Sequence, residues 1–288
     1  MDVFKKITIQ IVLYEENENL VFKCLDTLSN FNIIILDNSA NITLKEKILA
    51  KYKIQKYIIE KKNLGFSKGH NKASEFVLTE YLLILNADCL IDKTNIEYLI
   101  NTHEKYSNCI ISSPTTYDNN DQITYNGGLL PENGPRQPAI QIEGDISVQS
   151  VLGSAILIKK IDFQNIGGFD EKLFLFFSDD DLCRKFINNK KEIIQAYSSK
   201  AFHIHGISKV RNIFKRIFLR NYYMTLDELT YFYKINKHNE LYRKNLKKLK
   251  NYIIKLILNF LILNFKKATY FFAKISAINS FRKYIKKN

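Results

Sequence analysis

The run Tyr81-Leu82-Leu83-Ile84-Leu85, followed by Asn86-Ala87-Asp88, constrains this chain more than any other segment. Five consecutive apolar residues fit a strand covered on both faces, as in a parallel sheet with helices on each side. Open sheets of that kind bind ligands just beyond the carboxyl ends of their strands. Asp88 stands at such an end, where a carboxylate can hold a divalent cation and the cation can grip a diphosphate. A turn-capping Asp would look the same in isolation, so the rest of the chain has to decide.

Further strands are expected at Ile7–Leu13, at Asn32–Leu36 (running into Asp37-Asn38-Ser39) and at Lys56–Glu60. Helical spacing of apolar residues marks 19–29, 44–52 and 65–78. Alternating strands and helices imply an α/β fold with a doubly wound, mainly parallel, Rossmann-like sheet. Gly127, Gly128, Pro131, Gly134, Pro135, Pro138 and Gly144 crowd residues 119–144, which reads as a long loop or lid whose one basic residue, Arg136, is a candidate phosphate or glycan contact. One apolar strand is expected over 150–159, a short one over 192–197, and basic, aromatic helix after Lys209.

Composition narrows the class. At 288 residues and 46% hydrophobic the chain can bury a full core. No uninterrupted apolar run of about 18 residues occurs, so no membrane span is expected, and the N-terminus shows no secretory pattern. Cys24, Cys89, Cys109 and Cys183 are scattered and read as reduced residues of a cytoplasmic protein. The net charge of +14 is localised: residues 209–288 hold 20 basic and three acidic side chains, giving +17, against −3 for residues 1–208. Two parts are therefore expected, 1–208 as a catalytic domain and 209–288 as a basic helical extension.

Carboxylates recur at strand ends and turns: Asp37, Asp88, Asp170-Glu171 and Asp179-Asp180-Asp181, followed by His203 and His205. Sugar transfer from a nucleotide diphosphate needs these residue types. The diphosphate leaving group develops negative charge that a metal can stabilise. The acceptor hydroxyl needs a carboxylate to take its proton as it attacks.

Together these motifs resemble the inverting family-two glycosyltransferases of GT-A fold, in particular bacterial rhamnosyltransferase-like members that build surface polysaccharides. The resemblance covers about Ile7 to Ser208. It implies that Asp37 and Asn38 contact the nucleotide base. It also implies donor contacts along Asn63-Leu64-Gly65-Phe66-Ser67-Lys68-Gly69-His70-Asn71, with Asn63, Gly65, Phe66, Gly69 and Asn71 as the matching residues. Asn86-Ala87-Asp88 stands for the family's Asp-x-Asp, so Asp88 is implied to meet Mn2+ or Mg2+. Gly168-Phe169-Asp170-Glu171 and Phe177–Cys183 match the acceptor-side motif, and His203 a downstream metal or phosphate contact; His205 could share that site.

The sequence departs from the pattern at three places. Ser178-Asp179 replaces Glu-Asp, Tyr14-Glu15 replaces Tyr-Asn near the donor, and His70 replaces Asn. Asp179 is the expected base, with Asp180 and Asp181 left open as alternatives.

The expected partners are a nucleotide-sugar donor, with dTDP-rhamnose the first choice by resemblance, and a glycan or lipid-linked glycan acceptor. The segment Tyr252–Phe265, flanked by lysines, reads as one interfacial helix on an anionic membrane surface at the inner face of the cell membrane. No nucleic-acid motif accompanies the charge. Two rivals are a nucleotidyltransferase, which would need a Gly-rich basic loop where Tyr14-Glu15-Glu16-Asn17 stands, and a non-enzymatic basic scaffold binding membrane or nucleic acid.

Overall fold

The structure, a computed structural model, describes residues 2–124, 127–134, 142–204 and 212–287. It divides into two compact units, Met1–Asp170 with Ser178–Lys209, and Glu171–Phe177 with Val210–Asn288.

In the first unit a helical turn α1 (Val3–Lys6) leads into β1 (Ile7–Leu13), α2 (Glu18–Thr27), β2 (Asn32–Asp37), α3 (Ile42–Lys51), β3 (Lys56–Ile59), α4 (Gly65–Ser74) and β4 (Tyr81–Leu85). Then come β5 (Cys89–Leu90), α5 (Lys93–Lys105), β6 (Cys109–Tyr117), β7 (Gly127–Gly128), β8 (Ile146–Val148), β9 (Ser150–Val151), β10 (Ala155–Lys159), α6 (Lys160–Asn165), α7 (Ser178–Asn188) and β11 (Glu192–His203). Side-chain caps explain several helix starts: Asn17, Asn41 and Asp92 each accept a backbone N–H of the first turn, satisfying a donor with no partner inside the helix.

The main sheet runs β3-β2-β1-β4-β10-β6-β11-β5, with β8 against β11. Pairing is parallel from β3 through β4 and between β6 and β11; β10 runs antiparallel to both its neighbours. The continuous apolar runs of β2 and β4 are explained by burial on two faces. Ile9, Ile11, Leu83 and Leu85 join a core with α2 and α5, whereas Ile34, Leu36, Leu82 and Ile84 join one with Ala73, Phe163, Phe169 and Leu182.

Three expectations change. The strand expected over 150–159 is two strands: Ser150–Val151 pairs with Gly127–Gly128 in a separate small sheet, and Ala155–Lys159 joins the main one. The chain bends between them because the Asn86 N–H captures the Ser154 carbonyl at 2.9 Å. That pairing also places a strand inside the stretch read as loop. The short strand expected at 192 runs on to His203, with an irregularity between Ala196 and Lys200.

The second unit contains α8 (Ile213–Lys234), α9 (His238–Leu261) and α10 (Phe265–Lys287) around a small core of Leu229, Ile278 and Phe281. Tyr252–Phe265 is not one helix. The Leu263 backbone turns left-handed, the Leu263 N–H bonds Phe260 O at 3.1 Å, and the Asn264 N–H bonds Asn259 O at 2.8 Å, so α9 stops at Leu261 and α10 begins at Phe265.

Candidate active site

The carboxyl ends of β1, β2 and β4 lie side by side, and the expected residues gather there. Asp88 follows β4. The β5–β11 register sets His203 opposite Cys89, and the Ile204 N–H bonds Asp88 O at 2.9 Å. As a result His203 Nε2 lies 3.2 Å from Asp88 Oδ1, with both side chains mostly buried. Glu16, just past β1, shares this environment: burial first, and then the charge of Asp88, push its carboxyl up to about 7. Glu16 carries no motif; its place at the end of the strand before α2 was the available signal.

Asp37 and Asn38 build the neighbouring turn. The Asp37 carboxylate is buried and accepts the Ser39 N–H at 2.7 Å, the Asn41 N–H at 3.1 Å and the Tyr57 hydroxyl at 3.3 Å. Asn38 accepts the Leu64 N–H and donates to Gly65 O, while Asn63 accepts the Gly65 N–H at 2.9 Å. Gly65 is left-handed, with φ 78°, which admits glycine without strain. Gly69 packs against β1, since a Cβ there would meet Val12 Cγ1 at 3.0 Å. Tyr14 and Glu15 are half-exposed at the end of β1.

The α4 motif closes on the acceptor-side motif. Asn71 pairs with the peptide of Phe169 through two 2.9 Å bonds, and the rings of His70, Phe66 and Phe169 pack against one another. Gln10 Nε2 meets His70 Nδ1 at 3.0 Å, and burial lowers the imidazole to about 3, so His70 is a neutral packing residue. Asn71 thus lies inside this junction, holding a turn.

The first turn of α7 separates the three acids. Asp180 and Asp181 are wholly buried; Asp180 accepts from Ser150 Oγ, and Asp181 Oδ1 takes Arg184 at 2.7 Å. Asp179 is partly exposed, and its Oδ2 accepts the Gly153 N–H at 2.8 Å. Ser178, standing where the pattern has Glu, meets the Ser67 hydroxyl at 2.7 Å. The turn that breaks the expected strand therefore joins two parts of the site: Gly153 holds Asp179, and the next residue, Ser154, holds Asn86, two residues before Asp88. Arg136 and His205 lie outside the described residues.

Among the described residues no group of three or more His, Cys, Asp and Glu side chains forms a cage for a metal. Asp88 and His203 offer one carboxylate and one imidazole. That donor pair fits a cation which takes its remaining ligands from substrate phosphate and water.

Residues 8–167 match the family model described as Glycosyl transferase family 2. The chain belongs to that family. It is 26% identical over 164 residues to the dTDP-rhamnosyl transferase RfbF of Shigella flexneri, covering 55% of each chain. It is 24% identical over 250 residues to the rhamnosyltransferase WbbL of Escherichia coli K12, covering 73% of this chain and 94% of that one. The crystal structure of GalNAc-T7 with UDP, GalNAc and Mn2+ superposes with TM-score 0.57 at 12% identity, over 80% of this chain and 51% of that one. Staphylococcus aureus TarS 1–349 superposes with TM-score 0.54 at 14% identity, over 96% and 91%. The fold is therefore GT-A, and the chain spans only about half the length of RfbF and of the GalNAc-T7 chain.

Proposed function

We propose that this chain is an inverting glycosyltransferase that moves a sugar from a nucleotide-diphospho-sugar, with dTDP-rhamnose the first choice, to a glycan or lipid-linked glycan acceptor in cell-surface polysaccharide synthesis. The supporting observation is the Gly153-Ser154 turn, which binds the Asp179 carboxylate with one residue and the strand end leading to Asp88 with the next. Asp179 takes the proton of the acceptor hydroxyl as that oxygen attacks the sugar carbon, and the carbon–diphosphate bond breaks on the opposite face. The Gly153 N–H keeps Asp179 oriented. Asp88 and His203 would hold a divalent cation, Mn2+ or Mg2+, which when bound supplies positive charge to the departing diphosphate. The ends of β1 and β2, with Tyr14, Glu15, Asp37 and Asn38, receive the nucleoside. Residues 1–208 carry this chemistry.

The helical unit supports a second part of the reading, attachment to an anionic membrane surface. Among the described residues α9 buries none, and Leu261, Ile262 and Leu263 at its end are 70%, 69% and 71% exposed. Exposed Lys250, Lys255, Lys266 and Lys267 flank that apolar end. Each basic group near an anionic surface contributes roughly 1 kcal/mol, added to the burial of apolar side chains in the interface. No helix among the described residues is long and apolar enough to cross a membrane.

Thermal unfolding with sugar nucleotides tests the donor reading. At a hundredfold excess over Kd, dTDP-rhamnose with Mn2+ should stabilise the protein by about 2.7 kcal/mol. Asp88→Ala should remove the Mn2+-dependent part of that shift. A full shift in Asp88→Ala assigns the metal elsewhere, and no shift with any sugar nucleotide defeats the donor reading.

A further inference from the structure

The carboxyl ends of β6 and β11 carry two rings outside the groupings around Asp88 and Asp179. The parallel register sets Tyr117 opposite Phe202 and Thr115 opposite Lys200. The two rings lie 5.9 Å apart, tilted by 38°, and the Lys200 ammonium stands 5.7 Å from the centre of the Tyr117 ring. Phe202 is 40% exposed, Lys200 is exposed and Tyr117 is half-buried. Among the described residues neither ring joins the two hydrophobic cores of the sheet. Below them the Gln195 amide donates to the Thr115 hydroxyl at 3.3 Å, a polar layer above the apolar packing of Ile111 and Ile193. Side-chain alternation fixes the face. Ala201 belongs to the core that α5 covers, so Lys200 and Phe202 point to the opposite side. Tyr117 lies an even number of residues beyond Ile111, which shares a core with Leu182 and Cys183 of α7. Both rings are therefore on the side of the sheet that α7 covers. Because β10 runs antiparallel to β6, the residues leading into β10 lie at the same end of the sheet as Tyr117. Those residues are Gly153 and Ser154, and Gly153 holds Asp179.

We infer that Tyr117, Phe202 and Lys200 form a binding shelf for the glycan acceptor. A single exposed ring on a protein surface is ordinary. Two rings side by side with an ammonium beside them, at the end of the sheet where Asp179 stands, select for a particular ligand. The face of an aromatic ring carries partial negative charge. A pyranose offers the matching surface, with slightly positive C–H groups on its flat face and hydroxyls around its rim. One sugar lays its C–H face on Tyr117 and Phe202, and Lys200 donates to hydroxyl oxygens at the rim. The reacting hydroxyl of the glycan then extends toward Asp179. On the same reading the donor occupies the ends of β1, β2 and β4, so the two substrates enter over different strands. The inference rests on the reading of the chain as a glycosyltransferase with Asp179 as its base.

The test uses the full-length protein and a panel of disaccharides: cellobiose, lactose, maltose and N,N′-diacetylchitobiose. Saturation-transfer NMR measures their binding, and calorimetry measures dTDP-rhamnose with Mn2+ on the same samples. The wild type should transfer saturation to the ring protons of at least one disaccharide. Tyr117→Ala and Phe202→Ala should each weaken that binding by about tenfold. Phe202→Leu, which stays apolar but loses the ring, should weaken it too, whereas Tyr117→Phe and Phe202→Tyr should retain it. Donor affinity should be unchanged in every variant. If an alanine variant does not fold, Phe202→Leu against Phe202→Tyr decides. Wild-type disaccharide affinity in both alanine variants would overturn the proposal, as would a wild type that binds dTDP-rhamnose but none of the disaccharides. Wild-type affinity in Phe202→Leu would also overturn it, by reducing the shelf to an apolar patch. Ring-dependent disaccharide binding in a protein that binds no sugar nucleotide would defeat the donor reading instead.

Discussion

His70 gives a prediction whose size follows from its surroundings. The ring is wholly buried against Phe66 and Phe169, its Nδ1 faces the amide of Gln10, and burial holds it neutral down to about pH 3. An unfolded histidine titrates near 6.5. Because the folded value is depressed, the neutral ring contributes stability that is complete above pH 6.5 and is lost as pH falls toward 3. Each pH unit in that window costs about 1.4 kcal/mol, so acidification from 6.5 to 4 removes about 3 kcal/mol through this residue alone. His70→Asn removes the titration while keeping a polar side chain beside Gln10. Urea unfolding of both proteins at pH 7, 6, 5 and 4 isolates the effect, since other groups cancel in the difference. The wild-type advantage at pH 7 should shrink steadily and reverse or vanish by pH 4. Parallel stability curves across the range would refute the reasoning, and would mean the ring takes up a proton inside the fold.

Other outcomes follow from the same geometry. Gly153→Ala places a methyl 3.0 Å from Phe66 Cζ and 3.6 Å from Asp179 Oδ2; turnover should fall about tenfold with donor affinity retained, measured by steady-state kinetics and calorimetry. Gly168→Ala meets Asn71 Oδ1 at 2.5 Å at a residue with φ 61°, so chemical denaturation should show a loss of about 2 kcal/mol or more. Leu261→Glu with Leu263→Glu should abolish sedimentation with anionic vesicles at moderate salt and leave Tm unchanged; wild-type protein that ignores such vesicles at low salt would remove the membrane reading.

Much of the fold was legible because the strands announce themselves locally. Tyr81–Leu85 is apolar throughout since both faces of β4 are covered, and the strand has the expected bounds. The antiparallel insertion of β10 was not legible, because strand direction leaves no trace in an apolar run. Nor was the break at Gly153: the apolar pattern continues across it, and the bend is made by a carbonyl that pairs with Asn86. Asp88 and His203 were each visible beside their motifs, but their approach is set by the β5–β11 register. In the Asp179–Asp181 run one-dimensional order says nothing of direction. Helical geometry turns Asp180 and Asp181 inward and leaves Asp179 beside Gly153. Glu16 was marked only by its place just past β1, since its meaning comes from the burial and the Asp88 charge that surround it. The end of α9 was hidden for a related reason, since Leu263 is an unusual residue for a left-handed helix stop.

The assignment of Asp179 as the base carries the account, and a paired substitution tests it most directly. Asp179→Asn keeps the shape and an oxygen for the Gly153 N–H but removes basicity. Asp181→Asn weakens a buried pair with Arg184 and leaves Asp179 in place. Single-turnover transfer from dTDP-rhamnose, measured with donor affinity by calorimetry, should show Asp179→Asn slowed by about 100-fold or more with donor binding intact. Asp181→Asn should be less stable yet close to wild type in rate per folded molecule. An active Asp179→Asn beside a folded, inactive Asp181→Asn would contradict the account and move the chemistry to the other carboxylate.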